Sequence, residues 1–137
     1  VSEAGGADRG LGSTEAGGRL DGADTDRVSD RAYTRGFDQC GTLGSGNHFL
    51  EVQVVDRVID ETAAQVMGLH EGQITVLIHS GSRGLGYQVC DDYLGVFKDA
   101  PTRYGFSLPD KQLACAPVTS PEGSAHPRAM RAAANYA

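Results

Sequence analysis

The sequence has no tryptophan, and no apolar run approaches the roughly 20 residues that a membrane-spanning helix needs. Its first residues lack the basic and then apolar order of a secretory signal peptide. The cysteines, Cys40, Cys90 and Cys115, are odd in number and far apart, which argues against a disulfide framework and against a cysteine-only zinc site. These absences predict a reduced, cytoplasmic protein with no membrane partner.

The charge balance is acidic, with a formal net charge of -6 at pH 7. This excludes a uniformly basic nucleic-acid-binding protein, although it does not exclude a local basic pocket. Hydrophobic residues make up 39% of the chain, which is enough for the core of one modest domain. The 19 glycines follow no period, so a collagen-like repeat is excluded.

The order of apolar and turn-forming residues predicts an α+β fold in which helices flank a mixed sheet. Residues 1–26 are expected to form a loop-rich lead-in, and residues 27–137 the core that carries the site. Because the chain begins at Val1 without a methionine and ends in an alanine-rich helical pattern, we expect an internal piece of a longer protein. Helices are predicted at 29–36, 60–67, 85–104 and 128–137, strands at 49–58, 73–79 and 111–118, and a turn at 120–123.

Two finer expectations follow from the same patterns. Gly36 is expected to end its helix in the left-handed region, which glycine tolerates. The strand at 73–79 is apolar enough to be central in the sheet.

The first candidate site segment is residues 40–51, Cys-Gly-Thr-Leu-Gly-Ser-Gly-Asn-His-Phe-Leu-Glu. Its glycines permit positive φ and let backbone N–H groups approach an anion closely. Asn47 can both donate and accept hydrogen bonds, and His48 is a good ligand for a transition metal. Glu51 follows three residues later, so a regular strand would place it on the opposite face from His48.

The second segment is residues 78–86, Ile-His-Ser-Gly-Ser-Arg-Gly-Leu-Gly. His79 ends an apolar strand, a common place for ligand groups. Ser80 and Ser82 supply hydroxyls, and Arg83 supplies a planar cation suited to phosphate. We expect the two segments to form one site for metal and phosphate. The other two histidines, His70 and His126, are expected on the surface.

Neither segment decides the function by its residue types alone. The order of glycines is not the Gly-x-Gly-x-x-Gly dinucleotide fingerprint, and no Gly-Lys-Ser/Thr phosphate loop is present. Three functions stay open on these residues: a nucleotide-dependent ligase, a metal-dependent phosphohydrolase, and a nucleotide- or RNA-binding fragment without catalysis.

Longer stretches of the sequence resemble the RtcB family of RNA-splicing ligases. The two longest are residues 41–53 and 78–86, which contain the candidate site segments. Shorter agreements lie at residues 15–20, 28–32, 113–117, 120–123 and 129–137. The resemblance therefore covers nearly the whole chain and implies an incomplete RtcB-like catalytic domain.

The resemblance implies an RNA ligase for tRNA splicing or RNA repair. Such enzymes join an RNA 3′-phosphate or 2′,3′-cyclic phosphate to a 5′-hydroxyl, using GTP and two Mn²⁺ ions, through a guanylylated histidine. His48 and His79 match metal ligands, Asn47 and Glu51 match nucleotide-side residues, and Arg83 matches a residue near the RNA phosphate. Ser80 and Ser82 are assigned to the same phosphate. The implied partners are RNA such as tRNA halves, GTP, and an activating helper protein.

The sequence also departs from the family pattern. The upstream metal ligands, in an Asp-x-x-Cys-Gly type motif, are absent, and Cys40 does not replace them because Phe37-Asp38-Gln39 precede it. A downstream metal histidine and the guanylylated histidine are absent as well. We therefore expect this chain to be inactive as a ligase by itself.

Overall fold

The structure is a computed structural model that describes residues 11–110 and 112–137. Its longer elements confirm an α+β fold. In chain order they are α1 (Asp30–Gly36), β1 (Phe49–Val54), α2 (Glu61–Met67), β2 (Ile74–His79), α3 (Arg83–Phe97), α4 (Ala100–Tyr104) and α5 (Pro121–Tyr136), with short 3-10 helices at Leu11–Ser13, Glu15–Gly18, Thr25–Arg27 and Phe37–Gln39. The described residues divide into a strand unit, residues 41–80, and a helical unit, residues 11–40, 81–110 and 112–137. The predicted division into a lead-in and a core at residues 26 and 27 stays a prediction.

The sheet of the strand unit has two antiparallel strands, with Phe49 opposite His79 and Val54 opposite Ile74. The prediction of a mixed sheet was therefore wrong for the part of the chain that the structure describes. The strand expected at residues 111–118 was also wrong, since residues 112–118 form no strand and residue 111 lies outside the described part. Alternation is too short a signal there to distinguish a strand from an extended loop.

Side chains alternate between the two faces of this ribbon. One face is entirely aliphatic, and each of its side chains is at least half exposed. They are Leu50, Val52, Val54, Ile74, Val76 and Ile78. The apolar composition of residues 73–79 predicted a central, covered strand, but among the described residues β2 has a single neighbour and an open face.

Helix α2 lies close to the range predicted for it, 60–67. The Asp60 side chain caps its start by accepting from the backbone N–H of Ala63, and Gly68 ends it at φ 68°. Only glycine adopts that left-handed conformation without a steric cost, so the cap chemistry alone fixes both ends of the helix.

The core of the helical unit lies where α1, α3 and α5 meet. Ser29 caps α1 by accepting from the backbone N–H of Ala32. Burial of apolar side chains from all three helices stabilises the unit. The buried apolar set is Val28, Ala32, Leu85, Val89, Tyr93, Phe97, Ala129 and Ala133.

Three helix boundaries differ from the prediction. Gly36 does not end α1 in the left-handed region; its φ is -84° and a 3-10 turn follows. The helix expected at 85–104 is two helices, α3 and α4, and Pro101 lies in the first turn of α4. The turn expected at 120–123 is the start of α5, because Ser120 caps the helix by accepting from the backbone N–H of Gly123. Pro127, which directly precedes the helix predicted at 128–137, consequently lies inside α5.

His126 is half-buried, contrary to the surface position expected for it. Its ring centroid lies 4.8 Å from that of Tyr93 and 5.3 Å from that of Phe97. Burial lowers the pKa of His126 below its ordinary value. His70 is exposed as expected.

The described part of the lead-in is attached to α5. The backbone N–H of Leu20 donates to Asn135 Oδ1 at 2.7 Å, and Asn135 Nδ2 donates back to the Leu20 carbonyl at 2.9 Å. The Asp24 N–H donates to the Arg128 carbonyl at 3.2 Å. The three cysteines are free thiols. Among the described residues, no helix has the length and apolar composition that crossing a bilayer requires.

Candidate metal and nucleotide site

The loop before β1 needs its glycines for their backbone conformation. Gly41, Gly44 and Gly46 have φ values of 72°, 106° and 78°. A side chain at these positions would be strained, so the expectation of positive φ in this segment is confirmed. The loop brings His48 to the open end of the two-stranded sheet, directly before its first residue pair.

His48 lies against Ser80 at that end. Its Nδ1 atom is 3.5 Å from Ser80 Oγ, and the Ser80 hydroxyl donates to the Leu43 carbonyl at 3.1 Å. His48 itself is partly buried. Since Phe49 pairs with His79, continuing the register by one residue places His48 opposite Ser80, which agrees with the observed contact.

His79 is the last residue of β2, and it stacks on its cross-strand partner. The rings of Phe49 and His79 are nearly parallel, 8° apart, with centroids separated by 5.1 Å. Offset stacking of this kind restricts the ring of an otherwise exposed side chain. Phe49 therefore influences the orientation of the His79 imidazole.

The register decides which face Glu51 occupies. β1 is a regular strand, so Glu51 shares a face with Phe49 and His79, and His48 precedes the strand. One of its carboxylate oxygens accepts from Gln53 Nε2 at 2.7 Å. The two histidines lie at the same end of the sheet. His79 is in the last residue pair, and His48 directly precedes that pair. A ligand bound by both side chains would therefore lie at this end of the sheet.

The donor atoms here suit Mn²⁺, which accepts imidazole nitrogen and carboxylate oxygen. Residues 11–110 and 112–137 contain no group of three or more His, Cys, Asp or Glu side chains close enough to hold a metal ion. The described residues can therefore supply part of the ligand set of a metal ion. The metal assignment of His48 and His79 stays a prediction, as do the nucleotide assignments of Asn47 and Glu51.

The rest of the second segment belongs to the helical unit. Arg83, the first residue of α3, has a φ of 49°, which is unusual for a residue other than glycine. Backbone strain of this kind is typical of functional positions, though it does not identify the ligand. The phosphate assignments of Ser80, Ser82 and Arg83 stay predictions.

The glycines after Arg83 have packing roles that the sequence did not reveal. A Cβ atom on Gly84 would lie 2.9 Å from Gln39 Oε1 and 3.0 Å from the Arg35 carbonyl oxygen. A Cβ atom on Gly86 would overlap the Ser82 side chain. These glycines allow close packing within the helical unit, so their presence does not require a phosphate ligand.

Comparison with known proteins gives a consistent result. The model of the family described as "tRNA-splicing ligase RtcB" matches residues 1–137. The chain belongs to the RtcB family. This confirms the resemblance inferred from residues 41–53 and 78–86.

Three similar relatives carry ligase names. The chain is 59% identical over 122 residues to the RNA-splicing ligase RtcB of Mycobacterium bovis, an alignment that covers 89% of this chain and 28% of that protein. It is 55% identical over 132 residues to the tRNA-splicing ligase RtcB of Archaeoglobus fulgidus, covering 96% and 27%. It is 53% identical over 137 residues to the tRNA-splicing ligase RtcB of Pyrococcus furiosus, covering 100% and 14%. The chain therefore spans less than a third of each of these relatives.

Proposed function

We propose that this chain supplies part of the metal and nucleotide centre of an RNA ligase. The reaction would join an RNA 3′-phosphate or 2′,3′-cyclic phosphate to a 5′-hydroxyl with GTP and Mn²⁺. The observation that carries the proposal is the meeting of the two family segments at one end of the sheet, where His48 contacts Ser80 and His79 stacks on Phe49. Family membership favours this function over the phosphohydrolase and over a purely binding role.

His48 and His79 would bind Mn²⁺ through ring nitrogens, with further ligands from polypeptide beyond the described set. When bound, Mn²⁺ would polarise phosphoryl oxygens and orient the reacting groups. Asn47 and Glu51 would bind the nucleotide. The contact from Gln53 holds one Glu51 oxygen, which leaves the other oxygen of that carboxylate to accept from a nucleotide hydroxyl or amine.

Arg83 and Ser82 would bind phosphate at the RNA end. Phosphoryl transfer depends mainly on positioning and on stabilising charge, and a guanidinium can do both with two parallel N–H donors. The strained backbone of Arg83 supports a functional position for this side chain. The RNA would be a broken strand or a pair of tRNA halves, and a helper protein could act on the complete enzyme.

The guanylylated histidine is expected outside this sequence, so the isolated chain should not carry GMP. The direct check is to incubate the chain with radiolabelled GTP and Mn²⁺ and to look for covalent label after denaturation. We expect none. Robust labelling would show that a nucleophile resides within these residues and would contradict the assignment.

The ligase assignment itself is tested in a chimera. The aligned segment of the Mycobacterium bovis relative would be replaced by this chain, and sealing of RNA with 3′-phosphate and 5′-hydroxyl ends would be measured. We expect the chimera to ligate, and His48→Ala and His79→Ala each to abolish sealing. His70→Ala is the matched control, because the His70 side chain is exposed and its ring Nδ1 lies 3.1 Å from the neighbouring Glu71 carbonyl oxygen.

Two results would overturn the proposal. One is full ligation by both the His48→Ala and His79→Ala chimeras. The other is hydrolysis of simple phosphate esters by a folded chimera that does not seal RNA, which would favour the phosphohydrolase instead.

A further inference from the structure

Ser80 lies between the Leu43 carbonyl and the His48 ring and contacts both. A backbone carbonyl can only accept, so the 3.1 Å contact between Ser80 Oγ and the Leu43 oxygen uses the hydroxyl proton of Ser80. The oxygen of Ser80 then has only lone pairs to offer to His48. The 3.5 Å contact with Nδ1 is consequently favourable when Nδ1 bears hydrogen.

We propose that Ser80 is a positioning residue that holds His48 in the Nδ1–H tautomer and so leaves the Nε2 lone pair for the metal. The proposal rests on the proposed function for its metal, and on the Leu43–Ser80–His48 geometry for its tautomer. A metal-bound histidine commonly donates its other ring N–H to a neighbouring acceptor, which fixes both tautomer and ring orientation. This role uses the Ser80 hydroxyl without a contact to RNA phosphate.

The arrangement depends on elements that the sequence fixes separately. The positive φ of Gly44 and Gly46 directs the loop so that the Leu43 carbonyl reaches Ser80. The pairing of β1 with β2 brings Ser80 opposite His48. All of these residues belong to the strand unit. The contacts from His48 through Ser80 to the Leu43 carbonyl, here called the Ser80 relay, are therefore formed within one compact part of the chain.

The test is the tautomer of His48 in the metal-free chain, read from long-range ¹⁵N–¹H correlations of the imidazole. Spectra are recorded well above the ordinary imidazole pKa of about 6.5, where the ring is neutral. We expect Nδ1–H in the wild-type chain and in Ser80→Thr, which keeps the hydroxyl. Ser80→Ala removes the acceptor, so we expect its His48 to shift to the Nε2–H form that predominates in free histidine.

The His70 signals are the internal control, since the hydrogen-bond partners of this residue are Gln73 and Glu71. An Nε2–H signal from His48 in the wild-type chain overturns the proposal even if Ser80→Ala does not fold. An unchanged Nδ1–H signal in a folded Ser80→Ala variant overturns it as well.

Metal affinity in the ligase chimera separates the two proposals. We expect Ser80→Ala to weaken Mn²⁺ binding about 10–100-fold, the usual effect of losing such a partner, and Ser80→Thr to restore most of it. If the tautomer is as expected but His48→Ala leaves Mn²⁺ binding unchanged, the proposed function fails while the Ser80 relay stands. If Mn²⁺ binding needs His48 but the wild-type tautomer is Nε2–H, the relay alone fails.

Discussion

Alanine at two helical glycines should change stability in opposite directions. A Cβ atom on Gly36 would lie 2.9 Å from Leu85 Cβ, 3.1 Å from Leu85 Cδ1 and 3.4 Å from the Tyr136 ring. The first two distances are too short for packed carbon atoms, so α1 must shift away from α3. A Cβ atom on Gly95 would have no neighbour within 4 Å.

The magnitudes follow from these distances. Overpacking of a core costs about 1–3 kcal/mol, from which Gly36→Ala regains up to about 1 kcal/mol of helix propensity. We expect a net loss of up to about 2 kcal/mol for Gly36→Ala. Gly95→Ala gains the propensity without a clash, which amounts to about 0.5–1 kcal/mol.

The assay is urea denaturation of the 137-residue chain, in which the loss of helix is monitored by circular dichroism. With a slope of about 2 kcal/mol per molar urea, the midpoints of the two variants should differ by about 1 M. Equal midpoints, or a higher midpoint for Gly36→Ala, would refute the close approach of α1 and α3 at Gly36.

Three further predictions concern the helical unit. Because burial lowers the folded-state pKa of His126, the unfolded chain binds more protons, so stability should fall as pH drops from about 6.5 toward the folded pKa. The urea midpoint of His126→Phe should depend less on pH than that of the control His70→Phe. An unchanged pH dependence would contradict the burial of His126. Asn135→Ala should lower the free energy of unfolding by about 1 kcal/mol and speed hydrogen exchange at the Leu20 amide. Unchanged exchange would show that the two Leu20–Asn135 hydrogen bonds do not hold the lead-in. The pKa of Glu122 lies below its ordinary value, chiefly because its own backbone N–H donates to the carboxylate, and also because of Tyr104 and Arg103. The stability that this carboxylate contributes should therefore be lost as pH falls through the folded-state pKa. Glu122→Gln should remove this loss in acid titrations, and an equal loss in the variant would refute it.

The sequence predicted the local structure best where a side chain or a glycine decides it. The helices predicted at 29–36 and 60–67 are observed within one residue of those bounds, because Ser29 and Asp60 cap them by bonds that span three residues and Gly68 ends α2 by its own φ. Gly36 has the same residue type as Gly68 but a different role, since it admits Leu85 from a distant helix. Such a role depends on tertiary packing and is invisible in a local pattern.

The same distinction applies to the candidate site. Residue types and family resemblance indicated His48 and His79 as ligands. The Phe49 stack and the Ser80 relay depend on strand register, which neither segment reveals by itself. The alternation of residues 49–54 places Glu51 on the face of Phe49 and His79, and His48 precedes the strand. The apolar run at 73–79 was read as covered because composition reports hydrophobicity and not the presence of a neighbouring layer.

The central claim is that His48 and His79 bind manganese together. The most direct measurement is an anomalous-scattering map, recorded at the manganese absorption edge, from crystals of the ligase chimera grown with Mn²⁺. We predict one or two manganese peaks that together lie within bonding distance of a nitrogen atom of each imidazole, and at His48 that atom should be Nε2. A manganese peak that contacts neither ring would contradict the claim.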